Sequence, residues 1–411
     1  MNSTNRSNRM NSAHRMVSKK STLVVVLMLT VSVTYAGGFK KLRPADEVPA
    51  FHDLILIGES LPRQYHAIET AAEGEPSQRI VIEVVGEGDA ASDEVIVMIH
   101  GILSDRRTWR FMAADLGTDH LVMLVDLLGS GDSDKPKPKK LDADAYGPTE
   151  HARRVLRALR TFVSRPDGPA RIVLVGHSLG GAVVLRMLGD EELVTDYADV
   201  VDRVDRAVLL APMDFAIEKI HPKFLQVAKL GQFEVDLGAV LGVLRKKVAR
   251  TTLESYYDPS FATREDAQRL LETLRHKKSR RPNKAGIKNA IPYNSKTKRP
   301  DWEAIERLVA DYDNVQVPCL ILWGERDETL PVAMGYKLKA QLPNARLRII
   351  EKSMHSLQQE RPRLSASLVR DFVKTSGNGW DPIGELDPDR FIGSELEVAT
   401  AAPERVGGSE E

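Results

Sequence analysis

Cysteine is nearly absent: Cys319 is the only one in 411 residues, so no intrachain disulfide can form and stability must come from packing. It sits in the aliphatic stretch VPCLILWG, where it reads as core filler rather than a reactive thiol. Charge of one sign is lacking too, since 58 basic side chains face 58 acidic ones. A balanced chain has no global attraction for nucleic acid or an anionic surface, although local patches can act. No histidine or cysteine pattern accompanies the acid pair Asp132 and Asp134, which reads as turn chemistry and not as metal ligation. The Gly-x-Gly of DLLGSGDSDKP lacks a following Lys-Ser/Thr pair and any G-x-G-x-x-G frame, which argues against a nucleotide cofactor. No cofactor and no metal are expected, and no internal repeat is visible.

The N-terminus carries a basic stretch with Arg6, Arg9, Arg15, Lys19 and Lys20, then STLVVVLMLTVSVTYAGG. Its apolar run of about fifteen residues is short for a membrane span, which takes about twenty. A basic region, a short apolar region and small residues near Ala36 match a secretory signal, with an uncleaved anchor as the alternative. No cysteine follows the run, so a lipid-modified cysteine anchor is excluded. The expected location is outside the cytoplasm, exported or anchored.

Beyond it, short apolar runs alternate with helix-period segments. The strand candidates start at Arg79, Glu94, His120, Arg171, Arg206, Pro318 and Ala345. TEHARRVLRALRTFVS and GGAVVLRMLGD repeat apolar residues at three- and four-residue steps. This alternation predicts an α/β fold with a mostly parallel sheet flanked by helices. One long interruption shows helical stretches and no convincing strand, and predicts a helical cap inserted over the strand ends. The expected division is 1–36 signal or anchor, 37–212 core, 213–317 cap, 318–375 core and 376–411 tail. Within the cap, HKKSRRPNKAGIKNAIPYNSKTKR reads as an exposed loop carrying solvated charge, with contact to an anionic membrane or substrate group as the sharper reading. The Gly-, Pro- and acid-rich tail reads as largely disordered, with DRFIGSEL as a local docking segment.

The chemistry gathers at RIVLVGHSLGGAVVL, where a strand breaks at Gly176-His177-Ser178-Leu179-Gly180 and resumes as a helix. Glycines flanking a serine on a strand-to-helix turn allow a sharp bend that lifts the hydroxyl above the sheet. A serine hydroxyl is protonated at neutral pH, so its attack requires a base, and the base an orienting group. WGERDETLP supplies Asp327 after one strand, and MHSLQQERP supplies His355 after the next. Glu325 shares the first loop, and Asp214, after the strand LLAPM, is the competing acid.

IHG, DLLGSGDSDKP, GHSLGG, WGERDETLP and MHSLQQERP follow the order and spacing of the α/β-hydrolase superfamily, which the chain resembles from Ile80 to Lys374. The resemblance implies an α/β-hydrolase fold of the serine esterase and lipase-like branch, with Ser178 as nucleophile, His355 as general base and then acid, and Asp327 as orienting carboxylate. It also implies an oxyanion hole from the backbone N–H groups of Leu179 and Ile102, with His100 shaping the second loop. Serine at the elbow excludes the relatives that open epoxides or displace halide with aspartate. The expected reaction is hydrolysis of a carboxylic ester of a small, hydrophobic or lipid-like substrate through an acyl-enzyme. Carbon–carbon bond hydrolysis, thioester hydrolysis and perhydrolysis are the enzymatic alternatives, and a non-catalytic binding scaffold is the alternative from another class. No nucleic-acid partner is expected; membrane association would run through the N-terminal apolar segment.

Overall fold

A computed structural model describes residues 38–72, 74–86, 94–141, 144–166, 168–213, 243–290, 292–294 and 299–374. The signal or anchor segment, Asp214, the cap stretch FLQVAKLGQF, most of FEVDLGAVLGVL and the C-terminal tail lie outside the described residues. No helix among the described residues is long and apolar enough to cross a membrane.

The main sheet contains β1 (Arg63–Glu69), β2 (Arg79–Val85), β3 (Glu94–Ile99), β4 (Leu121–Asp126), β5 (Arg171–His177), β6 (Val204–Leu210), β9 (Cys319–Gly324) and β10 (Ala345–Ile350). Their spatial order is β1-β2-β4-β3-β5-β6-β9-β10. β1 and β2 run antiparallel to their neighbours, and the strands from β4 to β10 pair in parallel. All seven sequence-predicted strands form. The eighth, β1, was not foreseen, because RQYHAIE is an edge strand with alternating exposed and half-buried residues and no apolar run. The interior strands β3 and β9 are buried at every position, as a sheet covered on both faces requires.

The helices used below are α1 (His52–Ser60), α2 (Arg110–Leu116), α3 (Pro148–Val163), α4 (Leu179–Gly189), α5 (Val243–Glu254), α6 (Arg264–Arg275), α7 (Lys277–Asn289), α8 (Trp302–Ala310), α9 (Ala333–Gln341), α10 (Leu357–Glu360) and α11 (Pro362–Lys374). Two cores sit on opposite faces of the sheet. One packs Ile99, Leu174, Ala182, Leu185, Leu209 and Trp323 with the inner stripe of α3, Val155, Leu156 and Leu159. The other packs Met98, Val175 and Leu322 against Trp109 and Met112 ahead of and on α2 and Val369 and Phe372 of α11.

Helices α5 to α8 lie between β6 and β9, and α5 and α6 share a smaller core of Leu244, Val248, Tyr256 and Leu271. The basic stretch expected as an exposed loop is helical from Lys277 to Asn289, with Pro282 inside the helix. Its buried positions, Arg280, Pro282, Asn283 and Gly286, recur at helical spacing, and tertiary burial of that stripe outweighs the poor helix propensity of proline and glycine. A two-residue hairpin follows, pairing β7 (Tyr293–Asn294) with β8 (Arg299–Pro300), in a region where no strand was expected.

Candidate active site

The strand β5 ends at His177 and α4 begins at Leu179, which leaves Ser178 alone at the bend with φ 53° and ψ −117°. A positive φ on a residue with a Cβ costs about 1–3 kcal/mol and persists only where the surroundings enforce it. The enforcement is visible: Ser178 N–H donates to Leu210 O at 3.0 Å, and its carbonyl accepts from Gly181 N at 2.9 Å and Met213 N at 2.8 Å. Close approach does the rest. A Cβ on Gly180 would press into the main-chain carbonyl of Ile99, and one on Gly176 into that of Gly180. Residues with side chains at either position would push the helix off the sheet.

Asp327 and His355 leave β9 and β10 on adjacent loops. His355 Nδ1 is 2.8 Å from Asp327 Oδ2, and the Asp327 side chain is fully buried. The second carboxylate oxygen accepts from Thr329 N at 2.8 Å and Leu330 N at 2.9 Å. An acceptor-only group on both sides requires that His355 donate from Nδ1, which leaves Nε2 as the lone-pair nitrogen of the neutral ring. No hydrogen bond joins the Ser178 hydroxyl to His355 Nε2 among the described residues; such contacts commonly close only with substrate bound. Asp214 lies outside the described residues. Glu325 accepts from Lys352 N at 3.1 Å.

Leu179 and Ile102 line one small cavity with His100, Gly101, Leu127, Leu128, Tyr146, His151, Pro282 and Asn283. Neither the Leu179 nor the Ile102 N–H donates to a protein acceptor among the described residues. Two free amides at one cavity beside a bent serine are what a developing oxyanion needs. The cavity is about 10 Å³, room for about one water. A polar cleft of about 220 Å³ adjoins it, sharing Ser130 and Asn283 and lined by Asp105, Arg107, Glu272 and His276.

His100 bridges the two loops that form this cavity: Nδ1 lies 2.7 Å from Gly101 O, and Nε2 accepts from Leu127 N at 3.1 Å. Both ring nitrogens are committed to backbone, so the ring fixes loop shape. Asp132 pairs with Arg106 at 2.8 Å and Asp134 with Arg79 at 3.3 Å, which accounts for both acids without a metal. Burial pushes the Cys319 thiol up to about 12, which leaves it un-ionised and inert at neutral pH.

Several residues of the site were not legible as such. Asn283 of α7 accepts from Leu103 N at 2.9 Å and so ties the inserted helix to the loop bearing Ile102. His177, the residue before the elbow serine, lies with Nε2 3.0 Å from His355 O. Its Nδ1 lies 3.2 Å from Gln358 Nε2, which also donates to Thr108 Oγ1 at 3.0 Å. Burial, reinforced by the nearby His355 ring, holds the His177 imidazole well below the ordinary histidine value. Glu360 accepts from Met354 N, beside His355, at 3.0 Å and from Tyr257 N of the inserted region at 2.9 Å. In the motif MHSLQQERP, the residues after the histidine therefore brace it from two sides.

A family model described as alpha/beta hydrolase fold matches residues 94–362. Among curated proteins, the uncharacterized protein Rv2715 of Mycobacterium tuberculosis is 26% identical over 299 residues, which cover 70% of this chain and 77% of that one. Among solved structures, 2-hydroxy-6-oxo-6-phenylhexa-2,4-dienoate hydrolase from Rhodococcus sp. strain RHA1 aligns with a TM-score of 0.57 at 18% identity, covering 77% of this chain and 100% of the other. The esterase RhEst1 from Rhodococcus sp. ECU1013 aligns with a TM-score of 0.55 at 20% identity, with the same coverage of 77% and 100%. At these identities both structures share the fold with this chain.

Proposed function

Because the chain belongs to the alpha/beta-hydrolase fold family, we propose that it is a serine hydrolase that cleaves a carboxylic ester of a hydrophobic or lipid-like substrate through an acyl-enzyme on Ser178. The observation that carries this reading is the conjunction at one sheet end of a serine held at φ 53° and a histidine fixed by a buried carboxylate at 2.8 Å. A non-catalytic scaffold has no need of either.

In the proposed reaction the Ser178 oxygen bonds to the ester carbonyl carbon while its proton passes to His355 Nε2. The carbonyl electron pair moves onto oxygen, where the N–H groups of Leu179 and Ile102 receive the charge. Each such donor is worth roughly 3–4 kcal/mol of transition-state stabilisation. Collapse breaks the bond to the alcohol, which leaves with the proton from His355. Water then attacks the acyl carbon as His355 takes its proton, and Ser178 departs with that proton. Throughout, Asp327 Oδ2 keeps His355 in the Nδ1–H tautomer and balances the imidazolium charge. The apolar walls Ile102, Leu127, Leu128 and Leu179 suit a hydrophobic acyl or alkyl group, and the region 213–317 serves in this reading as the cap that selects it.

Turnover of p-nitrophenyl esters of short and medium chain length, measured beside Ser178→Ala, tests the proposal. Undiminished turnover in the variant would refute the mechanism. Absent ester turnover with full activity on a vinylogous diketone would move the chain to carbon–carbon bond hydrolysis. The N-terminal reading adds export or anchoring outside the cytoplasm, tested by N-terminal sequencing of mature protein; a start near Met1 rules out cleavage at Ala36.

A further inference from the structure

The helix α7 has two faces with different tasks. Its inner face walls the cavity lined by Leu179 and Ile102 through Pro282, Asn283 and Gly286, and it approaches so closely that a Cβ on Gly286 would sit 3.0 Å from Ile102 Cδ1. Its outer face is cationic. Lys277, Arg281, Lys284 and Lys288 fall at i, i+4, i+7 and i+11, one stripe of a helix, opposite the buried stripe, and Lys278 flanks it. Lys277, Lys278, Arg281 and Lys288 are exposed. The helix KKSRRPNKAGIKN contains no acidic residue, and no ion pair to these four exposed cations is formed among the described residues.

A solvated charged face is common, but this one is unbalanced in a chain whose net charge is zero, and the helix that bears it walls a cavity of about 10 Å³, room for about one water. The helix is also weakly self-supporting, because Pro282 removes an internal hydrogen bond.

We propose that the outer face of α7 is a docking surface for an anionic lipid bilayer, and that docking draws α7 off the catalytic cavity. The choice of a bilayer rests on the hydrophobic-ester reading of the site. Clustered lysines and arginines gain affinity from each cation held near an anionic surface, and here the same displacement would open an apolar cavity toward the source of its substrate. A nucleic acid would meet the charge but have no use for the cavity behind it.

The full-length protein is mixed with vesicles of phosphatidylcholine alone or with one part phosphatidylglycerol to two parts phosphatidylcholine, and both sedimentation and turnover of a water-soluble p-nitrophenyl ester are followed. The expected result is binding that depends on phosphatidylglycerol, weakens as salt rises to about 0.5 M, and raises turnover of the soluble ester. The variant Lys277→Glu/Lys278→Glu/Arg281→Glu should lose about a hundredfold in phosphatidylglycerol-dependent binding, lose the stimulation, and keep its vesicle-free turnover; the glutamine version should fall between. Equal binding by wild type and variant would overturn the proposal, as would retention on RNA without vesicle binding. Binding without stimulation would overturn the opening of the cavity. Ser178→Ala should bind vesicles as wild type does while losing hydrolysis, which separates failure of the docking surface from failure of the hydrolase reading.

Discussion

The ring of His177 lies with Nε2 3.0 Å from the main-chain carbonyl oxygen of His355, and because a carbonyl only accepts, that nitrogen carries the proton. Gln358 then donates to the free Nδ1 at 3.2 Å. The residue beside the elbow serine thus sets the height of the loop that carries the histidine. We expect His177→Leu to lower kcat by about a hundredfold, the effect of displacing a reacting group by about 1 Å, with KM little changed. His177→Gln, whose amide nitrogen reaches the same point, should recover most of the loss. Steady-state kinetics on one p-nitrophenyl ester decide it; equal loss in both variants would show that the ring only fills space.

Asp327 accepts on both oxygens, from His355 Nδ1 on one and from the N–H groups of Thr329 and Leu330 on the other. An amide at this position must turn its NH2 toward one side or the other. Facing His355 it enforces the wrong tautomer, and facing the loop it collides with two donors. Asp327→Asn should therefore reduce kcat by about 10⁴-fold, while Asp214→Asn stays within about tenfold of wild type. The reverse ranking would make Asp214 the orienting acid.

The sheet was legible because its strands are buried on both faces and read as aliphatic runs, and the candidate site because each of its proposed residues sits just beyond such a run: Ser178 after β5, Asp327 after β9, His355 after β10. Strand β1 was missed since an exposed edge leaves no apolar signal in RQYHAIE. The helix α7 was missed for a different reason. Its pattern is present, with small or buried residues at Pro282, Gly286 and Ala290 and cations between them, but proline and dense charge read locally as a loop, and it is tertiary contact, with Ile102, Leu103 and Gly129 among others, that makes the helix worth forming. The links from His177 to His355 and from Glu360 to Met354 and Tyr257 join segments far apart in the chain, and a single sequence contains no local sign of them.

His100 invites assignment as a second proton carrier, since it lines the cavity beside Leu179 and Ile102. Its geometry says otherwise: one nitrogen faces Gly101 O at 2.7 Å and the other accepts from Leu127 N at 3.1 Å. A ring so engaged has no free lone pair. His100→Gln should leave the pH–rate profile of kcat/KM in place and lower stability by about 1–3 kcal/mol, the cost of an unmatched buried backbone group. A shift of the profile's limbs would assign His100 a proton-transfer role.

Buried histidines set the response to acid. His151 is 3% exposed and His177 6% exposed, and burial holds both well below the ordinary value, aided by Arg154 at the first and His355 at the second. In the unfolded chain each protonates near pH 6.5, whereas in the folded protein each stays neutral to lower pH. Below about pH 6.5 the unfolded state therefore binds more protons, and stability falls as pH falls, by about 1.4 kcal/mol per pH unit for each group. Glu360 works in the opposite direction, because burial raises its carboxyl: its contribution is full below the ordinary carboxylate value and is lost as pH rises through its folded value. Glu94, raised likewise by burial, adds to that side, while His66 and His120, also held below the ordinary value by burial, add to the histidine side, so the lowered histidines outnumber the raised carboxyls and the net slope between pH 6.5 and 5 remains positive. Urea unfolding at half-unit steps measures it. His177→Gln should flatten the slope by about 1.4 kcal/mol per unit even where its stability at pH 7.5 is reduced, and an unchanged slope would show that His177 is already charged in the folded protein.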